Sequence, residues 1–283
     1  MEIRSLAGTE PEIIFKAFKR GFSDYEVQIN RQQFMTMIKR RGFDPDLSFA
    51  AFENGDIISF TLNGTGTFNG KYTAYDTGTG TLPDHRGKGL ATKIFEYSIP
   101  WLKKNAMEQY LLEVLQHNIK AVSVYRKLGF EATREFNYFV KNVEEISNKT
   151  KNNAIPYLIK SIDLQDVIPV EGFRDFAPSW QNSFEALERA PDTFITLGAY
   201  DGDMLCGYCI LEPAAGDIPQ IAVERESRRK GIADLLLHEA QQLNESRIIK
   251  IVNSDIECTS VTGFLRSKNI DVTGKQFEMI RQL

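Results

Sequence analysis

Arg86-Gly87-Lys88-Gly89-Leu90-Ala91 returns in weaker form as Arg228-Arg229-Lys230-Gly231-Ile232-Ala233, 142 positions later in the chain. Each copy follows a strand-like run, Gly80-Thr81-Leu82 in the first case and Ile221-Ala222-Val223 in the second. Each copy also opens a segment with apolar residues at helical spacing. At such a helix start several backbone N–H groups have no partner within the helix, and the positive end of the helix dipole is exposed. Both stretches therefore predict a site for a phosphate or a similar anion.

The features around the two copies also repeat in order. A short strand begins each half, at residues 2–4 and 158–160, and helical stretches follow it. Next comes a hairpin signal with Asn-Gly or Asp-Gly, at residues 53–56 and 200–203. The basic turn, its helix and a strand-rich tail complete each half. A constant order at a nearly constant offset indicates two related domains rather than one chance motif.

The boundary between the halves lies in the polar, turn-prone segment 141–155, which predicts a linker. The predicted domains are residues 1–142 and 155–283. The helix that follows the first basic turn contains Pro100, which predicts a kink or an early end.

Composition bounds the function without deciding it. The 283 residues are 42% hydrophobic and 25% charged, with a net charge of −4 and a pI near 5.6. A nucleic-acid-binding protein usually has a basic excess, so that class is disfavoured. The sequence has no long apolar span and no signal peptide, which favours a cytoplasmic protein without a membrane partner.

The cysteines do not predict a disulfide framework or a metal site. Cys206 and Cys209 have Cys-x-x-Cys spacing, but they lie in an apolar strand-like run. Strand geometry places positions three apart on opposite faces, so two buried thiols are expected there. Nucleotide-binding loops are also disfavoured, because the glycine-rich segment 63–71 lacks the spacing of a Walker loop.

The first basic turn resembles the signature of the GCN5-related N-acetyltransferases (GNAT family), which is Arg/Gln-x-x-Gly-x-Gly/Ala after a strand and at a helix start. Arg86, Gly89 and Ala91 match it, and Arg228, Gly231 and Ala233 match it again. A second element supports the resemblance, since residues 118–130 carry an Asn, an Ala and a Tyr on one helix that ends in Leu-Gly-Phe. The resemblance covers residues 45–140 best. It implies an α/β (α+β) fold of two tandem GNAT-like lobes, each a mixed, mostly antiparallel sheet flanked by helices.

The resemblance also implies roles for individual residues around acetyl-CoA. Tyr125 would act as the general acid toward the departing sulfur, and Asn118 would bind the pantetheine arm. The backbone of Gly80, Thr81 and Leu82 would polarise the acetyl oxygen. The pyrophosphate would bind backbone N–H groups more than side-chain charges, in a loop made of Arg86, Gly87, Lys88, Gly89, Leu90 and Ala91. The strand at residues 111–115 would splay from its neighbour and admit the arm.

The general base is less well defined by the sequence. Asp76 precedes the turn on the same strand and is a candidate by position. An exposed strand carboxylate or an Asx turn explains this residue equally well, and a water chain would replace a side-chain base. Tyr125 has a similar alternative, as an amphipathic core residue. No metal site is predicted.

The second half departs from the signature. Alignment of the tails places Leu265 at the position of Tyr125, Asn269 at Gly129 and Cys258 at about Asn118, and Arg229 replaces the first glycine of the turn. A leucine cannot protonate a thiolate, so the second half is expected to be catalytically silent. A second cofactor site remains open there, at Val223, Arg228, Arg229, Lys230, Gly231, Ile232 and Ala233.

The predicted function is transfer of an acetyl group from acetyl-CoA to a primary amine of a small molecule or peptide, by direct transfer in the N-terminal lobe. The alternative is a non-catalytic acyl-CoA-binding sensor or scaffold. Aromatic residues among residues 10–43 either line the acceptor pocket or pack in the core. The acceptor and the oligomeric state are not encoded in a readable pattern.

Overall fold

The computed structural model describes residues 1–25, 28–147 and 156–283. The predicted linker 141–155 therefore lies partly outside the described residues. The strands are β1 (Glu2–Ser5), β2 (Phe49–Glu53), β3 (Asp56–Phe68), β4 (Lys71–Thr81), β5 (Gln109–Leu115), β6 (Glu131–Asn142), β7 (Leu158–Ile162), β8 (Ile195–Asp201), β9 (Met204–Glu212), β10 (Asp217–Val223), β11 (Ile248–Asp255) and β12 (Gly274–Gln282). The α-helices are α1 (Pro11–Gly21), α2 (Arg31–Arg40), α3 (Leu90–Lys104), α4 (Ile119–Lys127), α5 (Leu164–Val167), α6 (Phe184–Glu188), α7 (Ile232–Leu243) and α8 (Thr259–Ser267).

The chain forms two compact units that are not two continuous segments. Unit 1 comprises Met1–Arg134 together with Phe277–Leu283, and unit 2 comprises Glu135–Gln276. The last seven residues of the chain thus belong to the unit formed by its beginning, which no sequence pattern predicts. The domain bounds of 1–142 and 155–283 stay a prediction.

The sheet of unit 1 has the order β1-β2-β3-β4-β5, followed by the final residues of β12 and the first residues of β6. Neighbours from β1 to β4 are antiparallel, and β4 and β5 are parallel. Helices flank this sheet, as they do that of unit 2, which confirms the predicted α/β fold with a mixed, mostly antiparallel sheet in each part.

Three tight turns between strands contain a glycine at positive φ. Asn54-Gly55 and Asn69-Gly70 join successive strands with both residues at positive φ, which is the geometry of a type I′ hairpin. Gly202 has a φ of 59° at the first position of the β8–β9 turn. The segment 63–71, which has the composition of a phosphate loop, is the end of β3, its hairpin and the start of β4.

Strands β4 and β5 pair over only three positions. Their partners are Thr73 with Gln109, Ala74 with Tyr110 and Tyr75 with Leu111, after which the pairing ends although both strands continue. On its other edge β4 stays paired with β3, through a bulge that leaves Thr77 as an extra residue between Asp76 and Gly78. The backbone of residues 76–81 therefore has one edge without strand pairing to β5, as expected for a splayed pair.

The core of unit 1 explains the aromatic residues of its first helices. Phe15, Phe18, Phe22 and Phe34 pack in one hydrophobic cluster with Phe60, and Phe18 lies 4.9 Å from Phe34 between ring centroids. This supports core packing for these four side chains. Gly80 borders the same cluster, and a Cβ on it would lie 2.5 Å from Phe60, so this position excludes a larger residue.

Helix α3 runs through Pro100 to Lys104, so the expected early end is wrong. The helix is fixed instead by its buried face, where Leu90, Ile94, Phe95 and Leu102 lie at helical spacing. Burial of that face outweighs the local cost of the proline.

Unit 2 repeats this plan, with the order β6-β11-β10-β9-β8-β7. Its parallel pair, β10 and β11, is joined at a single position, Asp217 with Lys250. Cys206 and Cys209 are buried free thiols, as predicted. Both nevertheless lie in the same hydrophobic cluster, because a register shift makes Cys206 an extra residue in β9, so the expectation of opposite faces is wrong.

The end of β12 contributes buried groups to unit 1. Met279 is fully buried in the cluster that also contains Phe95 and Tyr110. Its neighbour Glu278 is 1% exposed and accepts hydrogen bonds from Arg134, at 2.6 Å and 2.9 Å, and from Thr133. A buried carboxylate of this kind is tolerated only with such partners.

Truncation of Met279 to alanine is expected to destabilise unit 1 by about 2–5 kcal/mol, the usual cost of a cavity at a buried methionine. Urea denaturation of the full chain measures this, with Gln282→Ala in the same strand as the exposed control. Equal unfolding free energies for the two variants would contradict the assignment of the last strand to the core of unit 1.

Candidate active site

Asp76 and Tyr125, which the sequence places 49 positions apart, lie in contact at the point where β4 and β5 separate. The hydroxyl of Tyr125 donates to Oδ2 of Asp76 at 3.3 Å, and Thr79 donates to the same oxygen at 2.9 Å. The other oxygen, Oδ1, is buried and has no hydrogen-bond partner among the described residues. Asp76 is 7% exposed, so the alternative of an exposed strand carboxylate is wrong.

Burial and mutual contact set the proton affinities of this pair. Burial raises the pKa of Asp76 to about 6, against the hydrogen bonds from Thr79 and Tyr125, which favour the carboxylate. Burial, and then the nearby Asp76 charge, raise the pKa of Tyr125 well above its ordinary value. At neutral pH the pair therefore holds a carboxylate that is unusually basic and a phenol that keeps its proton.

The backbone of β4 offers donors on the edge that β5 leaves unpaired. The N–H of Leu82 donates to the carbonyl of Ile58 on β3 at 3.0 Å, and the Leu82 side chain is buried. Leu82 is therefore occupied by sheet pairing and by the core, which corrects its expected role as an oxyanion donor. Alternation along an antiparallel strand then points the N–H groups of Thr79 and Thr81 away from β3.

The first basic turn forms an open cradle at the start of α3. Gly87 and Gly89 have φ values of 76° and 71°, and a Cβ on either residue would meet no atom within 4 Å. Gly89 is the N-cap residue of α3, and no side chain caps the helix there. The first N–H groups of this helix, which begins with Leu90 and Ala91, thus have no side-chain cap.

Arg86 does not add its charge to this cradle. Its guanidinium pairs with both carboxylate oxygens of Asp24, at 2.6 Å and 2.7 Å, and donates to the carbonyls of Gly21 and Thr81. The Arg86 side chain lowers the pKa of Asp24 to about 2 by hydrogen bonding. This arginine therefore ties the turn to the segment that follows α1, which agrees with phosphate binding through the backbone.

Arg228 makes the same set of contacts in unit 2. It pairs with both oxygens of Asp175, at 2.9 Å and 3.1 Å, and donates to the carbonyls of Phe173 and Val223. The repeat thus extends to a side-chain contact that the sequence comparison missed. No signal marks Asp24 and Asp175 in the sequence, because they lie at different distances from their arginines.

Asn118 caps the helix that carries Tyr125. Its Oδ1 accepts from the N–H of Ala121 at 3.2 Å, and its Nδ2 donates to the Tyr25 hydroxyl at 3.5 Å. Loss of the side chain would leave the start of α4 uncapped. Any contact with a cofactor therefore comes in addition to this structural role. Tyr25 itself is 45% exposed, unlike the phenylalanines of the first helices.

Unit 2 retains the backbone geometry of the site, but it has no phenol at the position of Tyr125. Cys258 is the N-cap of α8, as Asn118 is of α4, and Asn269 has a φ of 64° where Gly129 has 82°. Leu265, at the position of Tyr125, is fully buried in the core. The predicted second cofactor residues, Val223, Arg228, Arg229, Lys230, Gly231, Ile232 and Ala233, all line one cavity of about 940 Å³.

This large cavity and the reactive pair lie in different units. A large volume alone does not identify a catalytic centre. Titratable groups in contact that have shifted pKa values are a more direct indication of one. The Asp76–Tyr125 pair in unit 1 is therefore the candidate reactive site. In the described ranges, no cluster of three His, Cys, Asp or Glu residues is arranged to hold a metal ion. Over those same ranges, every helix is too short or too polar to span a bilayer.

Unit 1 thus combines a sheet that opens beside the buried contact of Asp76 and Tyr125 with a helix start that no side chain caps. Residues 12–130 match the model of the Acetyltransferase (GNAT) family. The structure of the whole chain resembles that of the tandem GNAT protein from the clavulanic acid biosynthesis pathway. The TM-score is 0.74 at 12% identity, and the match covers 99% of this chain and 98% of that one.

Relatives in sequence are named as N-acetyltransferases. The chain is 40% identical over 58 residues to the uncharacterized N-acetyltransferase YobR of Bacillus subtilis (strain 168), covering 20% of this chain and 24% of the relative. It is 26% identical over 102 residues to N-alpha-acetyltransferase 30 of Schizosaccharomyces pombe, covering 35% and 68%. It is 28% identical over 83 residues to aminoglycoside N(6')-acetyltransferase type 1 of Acinetobacter haemolyticus, covering 29% and 55%. The matches thus span between a quarter and two thirds of these relatives.

The raised pKa of Asp76 predicts how its replacement affects stability. Protonation is favoured in the folded state, so stability from this group is fully present below pH 4 and is lost as the pH rises through about 6. Asp76→Asn is therefore expected to raise the free energy of unfolding at pH 7 by about 1–3 kcal/mol. The gain should vanish near pH 4. Urea denaturation at both pH values measures it, and destabilisation at pH 7 would contradict the assignment.

Proposed function

We propose that unit 1 transfers an acetyl group from acetyl-CoA to a primary amine within a ternary complex. The observation that carries this proposal is the hydrogen bond between Tyr125 and the buried carboxyl of Asp76 at the opening between β4 and β5. The match of residues 12–130 to the acetyltransferase family supports it.

The residues of the cradle fit the phosphate end of such a cofactor. The open space at Gly87 and Gly89 and the uncapped start of α3 suit an anion held by backbone N–H groups. When bound, acetyl-CoA supplies a thioester whose carbonyl carbon is open to attack by an amine. Lys88, which is exposed beside the cradle, adds a positive charge to its rim.

Two kinds of group on β4 would then act on the reacting atoms. The N–H groups of Thr79 and Thr81 point to the unpaired edge and are suited to stabilise negative charge on an oxygen. Oδ1 of Asp76, which has no partner among the described residues, is suited to accept a proton from the attacking amine.

The contact between Asp76 and Tyr125 lets the proton taken from the amine replace the proton given to the sulfur. Oδ1 of Asp76 gains one proton from the amine, and Oη of Tyr125 releases one proton to the departing sulfur. Rotation of the carboxyl about its Cβ–Cγ bond then brings the protonated oxygen to the phenolate, and the proton returns to Oη of Tyr125, which restores both groups. Neither side chain needs to exchange protons with solvent during the transfer, which suits a buried pair.

Tyr125→Phe tests the role of the acid. The variant removes one hydroxyl, so kcat is expected to fall by about 10²-fold or more while the Kd for coenzyme A changes little. Tyr97→Phe, which alters an exposed tyrosine on α3, is the matched control and should keep its rate. Release of free thiol with a peptide α-amine or an aminoglycoside as acceptor measures it, since relatives are named for these substrates. An unchanged rate in Tyr125→Phe would exclude the proposed acid.

The pH profile tests the role of the base. Loss of the proton from the acceptor gives log(kcat/KM) a slope of one against pH in the acidic range. Ionisation of Asp76 should add a second unit of slope below about pH 6. Asp76→Asn should lose this bend and keep the slope of one. A bend near pH 6 that persists in the variant would assign it to another group.

A further inference from the structure

Two threonine hydroxyls connect the carboxyl of Asp76 to strand β3. Thr79 lies on β4, directly opposite Thr61 in the antiparallel pairing with β3. Its Oγ1 lies 2.9 Å from Oδ2 of Asp76 and 3.1 Å from Oγ1 of Thr61. Threonines that face each other across an antiparallel pair commonly share such a hydrogen bond. The three side chains thus form one row, from the fully buried Thr61 to the opening between β4 and β5.

The bulge in β4 makes the contact between Thr79 and Asp76 possible. In a regular strand, positions three apart lie on opposite faces of the sheet. The extra residue Thr77 changes this alternation, so the hydroxyl of Thr79 reaches the carboxyl of Asp76. The row therefore depends on a local irregularity that the sequence does not announce.

The chemistry of the groups determines the direction of the hydrogen bonds in this row. A hydroxyl has one hydrogen and an ionised carboxylate only accepts, so Thr79 donates to an ionised Asp76 and Thr61 donates to Thr79. Thr61 has no other side-chain hydrogen-bond partner among the described residues. If a protonated Asp76 donated to Thr79 instead, the row would reverse, and the hydrogen of Thr61 would be buried without an acceptor. Such a group is costly, so the row favours the ionised carboxyl.

The row also leaves one oxygen of Asp76 available. Thr79 and Tyr125 both contact Oδ2, whereas Oδ1 is buried and has no partner in the described part of the chain. Two donors on one oxygen hold the carboxyl in one orientation about its Cβ–Cγ bond. Because the two oxygens of a carboxylate are equivalent, Thr79 donates equally well to either oxygen after the carboxyl rotates.

Other titratable and charged groups near Asp76 come from β4, β5, α4 and the end of α2. Three are buried phenols whose pKa values burial raises, namely Tyr75, Tyr110 and Tyr125. Against the burial that raises the pKa of Asp76, the charge of Arg41 lowers it. Glu113 lies beyond Tyr75, from which it accepts a hydrogen bond at 3.1 Å. Removal of a threonine hydroxyl leaves all of these groups in the protein.

We infer that Thr61 and Thr79 are positioning residues for the base of unit 1, because their hydroxyls hold Oδ2 of an ionised Asp76 and leave Oδ1 available to the acceptor amine. Thr79 acts directly on the carboxyl, and Thr61 acts through Thr79. The catalytic part of this inference rests on the transfer proposed for unit 1. The hold on the carboxyl is a property of the folded chain and is measured without a substrate.

Carbon-13 NMR titration of the Asp76 carboxyl in four variants tests this hold. Thr79→Val keeps the backbone N–H and the shape of the side chain, and loss of the hydroxyl should raise the pKa of Asp76 from about 6 to about 7. Thr61→Val should raise it by less, because Thr79 then donates without the polarising bond from Thr61. Thr79→Ser and Thr61→Ser retain the hydroxyls and should keep the pKa near 6.

Ser59→Ala is the matched control. Ser59 is as buried as Thr61, and its hydroxyl lies 2.8 Å from that of Thr81 in the neighbouring cross-strand pair of β3 and β4. The variant removes a hydroxyl from the same two strands without touching the row, so the pKa of Asp76 should stay near 6. An unchanged pKa in either valine variant, or an equal rise in Ser59→Ala, overturns the inference.

The pH profile of kcat/KM separates this inference from the proposed function. In Thr79→Val the bend assigned to Asp76 should move to higher pH, so the rate should fall about fivefold at pH 6 and change little above about pH 8. A purely structural effect would lower the rate at every pH. Raised pKa values in a chain without transfer activity support the hold and count against the function. Transfer activity with the same pKa in the valine variants overturns the inference and leaves the function in place.

Discussion

Strands β4 and β5 stop pairing after Tyr75 and Leu111, and the site in unit 1 depends on this separation. A backbone with one unpaired edge is costly in a sheet, since its N–H and C=O groups need other partners. Here the unpaired edge begins at Asp76, the next residue along β4, and the following N–H groups face the opening. The bulge at Thr77 keeps β4 attached to β3 while this edge is free.

Burial at this point sets the chemistry of the pair. Removal of Asp76 from water makes its carboxylate both less stable and more basic, and the hydrogen bonds from Thr79 and Tyr125 limit the effect. Burial, and then the charge of Asp76, raise the pKa of Tyr125, so the phenol keeps its proton. The pair thus joins a carboxyl with a raised pKa of about 6 to a phenol that stays protonated, and such shifted pKa values are common at functional sites.

The sequence predicts the parts of the site that depend on local geometry. The cradle at Gly87 and Gly89 follows from a strand–turn–helix pattern, and the helical spacing from Asn118 to Tyr125 is readable without a structure. In the sequence, only the position of Asp76 before the turn marks it as a candidate base. Its burial depends on packing between elements far apart in the chain, which no local pattern encodes.

Other features also cannot be predicted from a local pattern, because they depend on contacts between segments far apart in the chain. The Arg86–Asp24 and Arg228–Asp175 pairs join segments more than fifty residues apart. Met279 packs in unit 1 from the last strand of the chain, so its position cannot be predicted from neighbouring residues. Register shifts are also not predicted by the alternation of residues along a strand. One such shift places Cys206 and Cys209 in the same hydrophobic cluster. Pro100 shows how burial limits a local rule, since the helix has a well-buried face and continues past the proline to Lys104.

The two units share a backbone scaffold but differ in the side chains at the opening of the sheet. Both keep the arginine contact, the left-handed residue before the helix and the early end of the parallel pair. Only unit 1 has the carboxyl and the phenol in contact. The fold therefore tolerates loss of the reactive pair, because Leu265 packs in the core without needing a polar partner.

Carbon-13 NMR titration of the Asp76 carboxyl, in the unmodified chain and in Tyr125→Phe, tests the central claim most directly. We expect an apparent pKa near 6 in the unmodified chain. Removal of the Tyr125 hydrogen bond should raise it further, because that bond favours the ionised form. A pKa near 4 that is the same in both proteins would contradict the coupled acid–base pair.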